Sequence, residues 1–165
     1  MARILGIDPG SRATGFGIID SDGSRSRHIS SGCIRTQSKN FVDRLGEIFR
    51  GIREVIDELQ PDQVAIEQVF VSVNPSSALK LGQARGAAIT AAVTLDLPVF
   101  EYTPRAVKQA LVGSGAADKE QVQHMVRIIL SMQKQKMGLD ESDALGIALC
   151  HAHSHASLEK MSRPA

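Results

Sequence analysis

The chain has 165 residues, with 19 Lys and Arg against 18 Asp and Glu for a net charge of +1, and it is 42% hydrophobic and 22% charged. That length fits one ordinary domain and excludes two full catalytic domains, while the near-neutral balance excludes a nucleic-acid partner recognised by bulk charge alone. No segment supplies the ~18 uncharged apolar residues of a membrane helix, so no membrane association is expected.

The N-terminus runs straight into a strand pattern, without a long apolar stretch and a small-residue cleavage site, so a cytoplasmic location is expected. Residues 3–8 read as a buried strand closed by Pro9-Gly10. A second strand runs from about Gly15 to Asp20. Asp22-Gly23 signals a tight type I′ turn, and a return strand extends from about Arg25 to Arg35. From Asn40 to Gln60 apolar residues recur at helical period, ending at Pro61. Val64 to Glu67 then forms a short strand.

A polar loop over 72–77 leads to a second helix, about Ser76 to Leu95. Its small residues Ala78, Gly82, Gly86 and Ala87 would let another backbone approach closely, so a helix partner is expected there. Leu97 to Tyr102 reads as a strand. Pro104 opens a short helix, the Gly113-Ser114-Gly115 stretch separates it from one over about 118–131, and a last helix begins near Asp140. Cys33 and Cys150 lack metal-binding spacing and are expected as buried, reduced thiols. The pattern is an α/β plan, an antiparallel meander followed by parallel strands with helical crossovers. A single domain over 1–158 with a short frayed tail, 159–165, is expected.

Asp8, Glu67, Asp140 and Asp143 each stand where a strand ends or a helix begins. Ligand sites in open α/β sheets gather at the carboxyl ends of strands, where Asp8 and Glu67 would lie side by side. Asp140 and Asp143, three apart at a helix start, share a helical face. Oxygen donors suit a hard cation such as Mg²⁺. Two such ions, ~3.5–4 Å apart, can drive an in-line phosphoryl displacement. Each acid also has an ordinary reading. Asp8 can be a turn residue, and Asp140 can be an N-cap with Asp143 in a capping-box-like role. Glu67 is harder to dismiss, because a carboxylate directly after an apolar strand is costly unless paired, hydrated or metal-bound.

Through Ile4-Leu5-Gly6-Ile7-Asp8-Pro9-Gly10 and Thr14-Gly15-Phe16-Gly17 the chain resembles the bacterial RuvC family of Holliday-junction resolvases. The likeness continues through Ala65-Ile66-Glu67-Gln68-Val69-Phe70, the Ser77 to Gly86 segment and Asp140-Glu141-Ser142-Asp143-Ala144-Leu145. It implies a ribonuclease H-like mixed sheet with helices on both faces, a homodimer, and Mg²⁺-dependent symmetrical nicking of four-way DNA junctions in recombination and repair. It also implies association with the RuvA and RuvB branch-migration proteins. By that resemblance Asp8, Glu67, Asp140 and Asp143 are the metal-binding acids, with two Mg²⁺ per subunit and Mn²⁺ able to substitute. Phe70 matches a residue that stacks on junction bases, and Lys108 and Lys119 match basic residues near the scissile phosphate.

Arg12, Lys80, Arg85 and Arg105 are further candidates to neutralise phosphates, and Lys119 opens a helix whose amides favour anions. Taken singly, each of these cations also reads as a solvated surface charge. Phe70 reads equally as a stacking ring or a core aromatic. His151, His153 and His155 tempt a zinc reading, but such a stretch belongs more readily to a solvated helix end, and they stay outside the site. Two other functions compete with the nuclease. Asp8-Pro9-Gly10 with Gly15 and Gly17 also looks like the first phosphate loop of actin-like ATPases and sugar kinases, although one domain of this length cannot make their two-domain cleft. A junction-binding module without catalysis is the other.

Overall fold

The computed structural model describes residues 1–69 and 74–162, the side chains at 159 and 160 apart. Its centre is a five-stranded sheet in the order β3-β2-β1-β4-β5, built from β1 (Ala2–Asp8), β2 (Ala13–Ser21), β3 (Ser26–Arg35), β4 (Gln63–Glu67) and β5 (Val99–Tyr102). The first three strands pair antiparallel, and β4 and β5 join β1 in parallel, as the meander followed by helical crossovers predicts.

The helices begin where side chains can satisfy their free amides. In α1 (Phe41–Leu59) the Asn40 side chain accepts from Val42 and Asp43, and the chain leaves through Gln60 at φ 49° just before Pro61. Asn74 caps α2 (Pro75–Val93) and Thr103 caps α3 (Pro104–Val112), each with proline in the first turn. Asp118 and Gln121 form a reciprocal capping box on α4 (Lys119–Ile129). The last helix is α5 (Leu139–Ser162).

Alternation along β1 divides the core. Leu5 and Ile7 face α1 and α2, packing with Ile48, Ile52 and the buried alanines Ala84, Ala88, Ala91 and Ala92. Ile4 faces α3, α4 and α5, packing with Val107, Val126, Leu145 and Ala148. Helix α5 is buried on all sides from Ala144 to Ala152, because the sheet lies on one flank and α3 and α4 on the other.

Close approach of α5 to the sheet depends on missing side chains. Gly6 and Gly17 are register partners on β1 and β2. A β-carbon at Gly6 would strike the Ala144 carbonyl, and one at Gly17 would stand 2.6 Å from Leu145 Cδ2. These glycines therefore bring the acidic start of α5 down onto the strand ends.

One expectation is corrected. The β2–β3 turn is not type I′, since only Gly23 has positive φ (91°). The connection spans 22–25, with Asp22 Oδ1 accepting from the Ser24 and Arg25 amides, a side-chain cap that replaces the two-residue turn. In α2 the close-packed face is the alanine row. At Gly82 and Gly86 a β-carbon would meet no described atom within 4 Å, so within this chain that side is open.

Candidate active site

Strand register brings the first two acids together. Ile7 pairs with Ile66 in parallel, so Asp8 and Glu67, the next residues, end adjacent strands with side chains on the α5 face. Across the antiparallel half, Asp8 pairs with Gly15 and Gly15 pairs with Cys33. The Asp140 carbonyl and Cβ stand directly over Gly15, and Asp140 Oδ2 lies 3.9 Å from Cys33 Sγ. Gly15 thus leaves the space that lets the helix acid sit over the strand acid.

The start of α5 removes the ordinary reading of the helix acids. The Ser142 amide donates to the Gly138 carbonyl, so Gly138 is the cap residue and the helix begins at Leu139. The third helical position then belongs to Glu141, whose Oε2 accepts from the Gly138 amide at 3.2 Å. Neither Asp140 nor Asp143 is engaged in capping.

Their mutual field is strong. The Asp8 carboxyl is pushed up to about 7, first by burial and then by Asp143, Asp140 and Glu67, against a smaller opposing effect of Lys119. Glu67 is raised from the ordinary carboxylate range, again by burial first and Asp143 second, with Lys119 and Lys108 opposing. The Lys119 ammonium pairs with Asp143 Oδ2 at 3.1 Å, which raises the lysine.

A cavity of about 200 Å³ is lined by Glu67, Asp143, Lys108 and Lys119 over an apolar floor of Val107, Val122 and Ile147. A second of about 250 Å³, lined by Asp8, Pro9, Gln68 and Leu81, shares Glu67 and Pro104 with it, so Asp8, Glu67 and Asp143 border adjoining cavities, and Asp140 lines neither. Among the described residues, no three of these donors already stand together at the spacing a single ion needs. The fit to a divalent cation rests instead on oxygen donors and on charge. Burial and neighbouring carboxylates together push the Asp8 carboxyl up to about 7, a charge conflict that a cation would relieve.

The other expected residues separate. Lys108 lines the cleft, and Arg12, Lys80 and Arg105 are exposed, with Lys80 Nζ 5.8 Å from the Phe41 ring centroid. Arg85 is not a free cation. Its guanidinium pairs with Glu101 and donates from Nε to the Glu67 carbonyl at 2.8 Å, fixing the strand end that carries Glu67. Phe70 lies outside the described residues. Cys33 is half-buried beside Asp140 rather than in the core, whereas Cys150 is buried as expected.

His151 corrects the solvated-end reading of the histidines. It is fully buried, with Nδ1 2.6 Å from the Tyr102 hydroxyl and Nε2 2.7 Å from Gln63 Oε1. Burial, then His155, lowers it to about 4. The phosphate-loop reading also weakens, because Gly15 and Gly17 lie beneath α5 and not at an open turn. Among the described residues, no helix is long and apolar enough to cross a membrane.

Comparison with known proteins bears on these features. Residues 4–151 match the family model for crossover junction endodeoxyribonuclease RuvC. A protein of that name from Photobacterium profundum is 56% identical over 162 residues, covering 98% of this chain and 93% of the relative. Its counterpart from Methylococcus capsulatus is 55% identical, covering 99% and 98%. The solved structure of T. thermophilus RuvC in complex with Holliday junction substrate superposes with a TM-score of 0.88 at 34% identity, covering 95% of this chain and 96% of that one.

Proposed function

Since the chain belongs to the RuvC family of crossover junction endodeoxyribonucleases, we propose that it resolves four-way DNA junctions by divalent-metal-dependent phosphodiester hydrolysis, with Asp8, Glu67, Asp140 and Asp143 as the metal-binding acids. The observation that carries this reading is that Asp8, Glu67 and Asp143 line adjoining cavities with Asp140 close enough to act on Asp8, whose carboxyl is raised to about 7 by burial and then by Asp143, Asp140 and Glu67. Such a cleft repels DNA until a cation is present, which fits a nuclease whose metal and substrate complete the site together.

Mg²⁺, two ions per subunit, is the reading the donor set favours, with Mn²⁺ as a substitute. When bound, the metal would activate water and neutralise charge on the reacting phosphate. The chain's own residues do the rest. Lys119, tied to Asp143 at the start of α4, and Lys108 across the cavity offer cations to the phosphate, and the α4 amides add their field. Attack of water on phosphorus expels the 3′-oxygen, leaving a 3′-hydroxyl and a 5′-phosphate. Phe70 is assigned to base stacking at the junction centre. Arg12, Lys80 and Arg105 are assigned to the backbone of the arms, and Arg85 to support of Glu67.

Paired cuts on opposed strands call for two clefts related by a two-fold axis, hence a homodimer. The open Gly82/Gly86 side of α2, with Leu79 70% exposed, supports that face as the contact. Residues 1–158 are read as one nuclease domain acting in the cytoplasm, in association with RuvA and RuvB. The test is nicking of a synthetic four-way junction in Mg²⁺, with Asp8→Asn as the paired control.

A further inference from the structure

The acids of α5 are held over the sheet by something other than themselves. Glu141 stands between Asp140 and Asp143 in sequence, and both of its oxygens are used. Oε2 accepts from the Gly138 amide at the helix cap, and Oε1 accepts from the Ser31 hydroxyl of β3, 110 residues away in sequence. The Ser31 hydroxyl has one proton, which goes to Glu141, so its oxygen accepts from His28 Nε2–H at 2.7 Å. The connection therefore runs from β3 through one carboxylate to the first free amide of the helix.

Its place in the sheet matters. Ser31 pairs with Gly17 and Gly17 with Gly6, the row that lies under Ala144 and Leu145. Cys33, two residues further along the same face of β3, pairs with Gly15 and lies beside Asp140. Glycine clears the space for α5 but gives no attraction and no defined angle. Ser31 and Glu141 supply the directional bonds, at the turn that carries both helix acids.

We infer that Ser31 and Glu141, backed by His28, are positioning residues that set the first turn of α5 so that Asp140 and Asp143 meet the metal in the cleft. The inference rests on the metal-dependent nuclease reading. Removing the link leaves every proposed metal ligand and DNA-binding residue in place. It should weaken the metal more than the substrate, since groups that orient metal ligands are typically worth about 10-fold or more in metal affinity.

Mn²⁺ binding to the full chain without DNA, followed by electron paramagnetic resonance of the free ion, gives a readout independent of cleavage. Ser31→Ala and Glu141→Ala are expected to weaken Mn²⁺ by about 10-fold. Both should raise the Mg²⁺ needed for half-maximal nicking in parallel and leave junction affinity in saturating Ca²⁺ unchanged. Ser31→Thr, which keeps the hydroxyl, should restore wild-type values. Unchanged Mn²⁺ affinity in both alanine variants would overturn the inference, even if their melting temperatures fell. Ser31→Ala alone decides the matter should Glu141→Ala not fold. If wild-type protein binds Mn²⁺ but does not nick the junction, the nuclease reading fails and the Mn²⁺ comparison still decides the role of the link.

Discussion

The backbone carbonyl of Asp140 lies over Gly15 at a distance that no β-carbon could tolerate, under the 3.0 Å that real side chains respect. Because the obstruction is backbone and not a flexible side-chain tip, a methyl group at residue 15 must lift the start of α5. Gly15→Ala is therefore expected to lose about 1–3 kcal/mol of stability, the usual range for overpacking. Nicking should fall far more than junction binding. Denaturant melts with parallel cleavage and binding assays check this, and nicking that survives intact would show that α5 need not lie so close.

Asp8 makes stability depend on pH with a sign opposite to that of most carboxylates. Its folded value of about 7 is above the ordinary 3.8, so between those values the folded state keeps a proton that the unfolded state has lost. The metal-free protein should lose stability progressively from about pH 4 to pH 7, by a few kcal/mol at most. Asp8→Asn should remove that slope. Urea melts of both proteins at matched pH test the sign, and Mg²⁺ should flatten the wild-type slope because a cation offsets the repulsion.

His151 supplies the opposite slope. Its folded value of about 4 lies below the ordinary 6.5, so its contribution is complete above pH 6.5 and is lost as pH falls toward 4. Tyr102→Phe removes the hydroxyl 2.6 Å from Nδ1 and leaves a buried acceptor unpaired. It should cost about 1–3 kcal/mol at pH 8 without changing the Mg²⁺ dependence of nicking, as read by thermal melts and cleavage titration.

Gly86→Leu places a bulky side chain on the open side of α2, where no described atom approaches within 4 Å. The monomer fold should therefore be unaffected while the dimer weakens. Sedimentation over a concentration series is expected to show dissociation, and a dimer as tight as wild type would move the interface to another face.

How much of this was legible beforehand varied with the range of the interaction. Helix starts near Asn40, Pro104 and Asp118 are local chemistry and appear where the sequence puts them, whereas α2 starts at Pro75, capped by Asn74, inside the stretch that reads as a polar loop. The Asp8 and Glu67 pair was legible because both close apolar strands. The cap at Gly138 was not, since glycine offers no side-chain signal and its partner is the glutamate three residues on. Arg85 read as a surface cation because its partner Glu101 comes from another element. His151 was missed for a related reason. Helix α5 is enclosed by sheet and helices, so it has no polar stripe to mark an exposed side, and the uncharged run from Ala144 to Cys150 was the available sign.

The decisive measurement uses a synthetic four-way junction labelled on opposed strands and incubated with wild-type protein or Asp8→Asn in Mg²⁺. Wild type is expected to give paired nicks on opposed strands, whereas Asp8→Asn binds the junction and leaves it uncut. A junction left intact by wild type in both Mg²⁺ and Mn²⁺, or cut by Asp8→Asn at the wild-type rate, would contradict the metal-dependent nuclease reading.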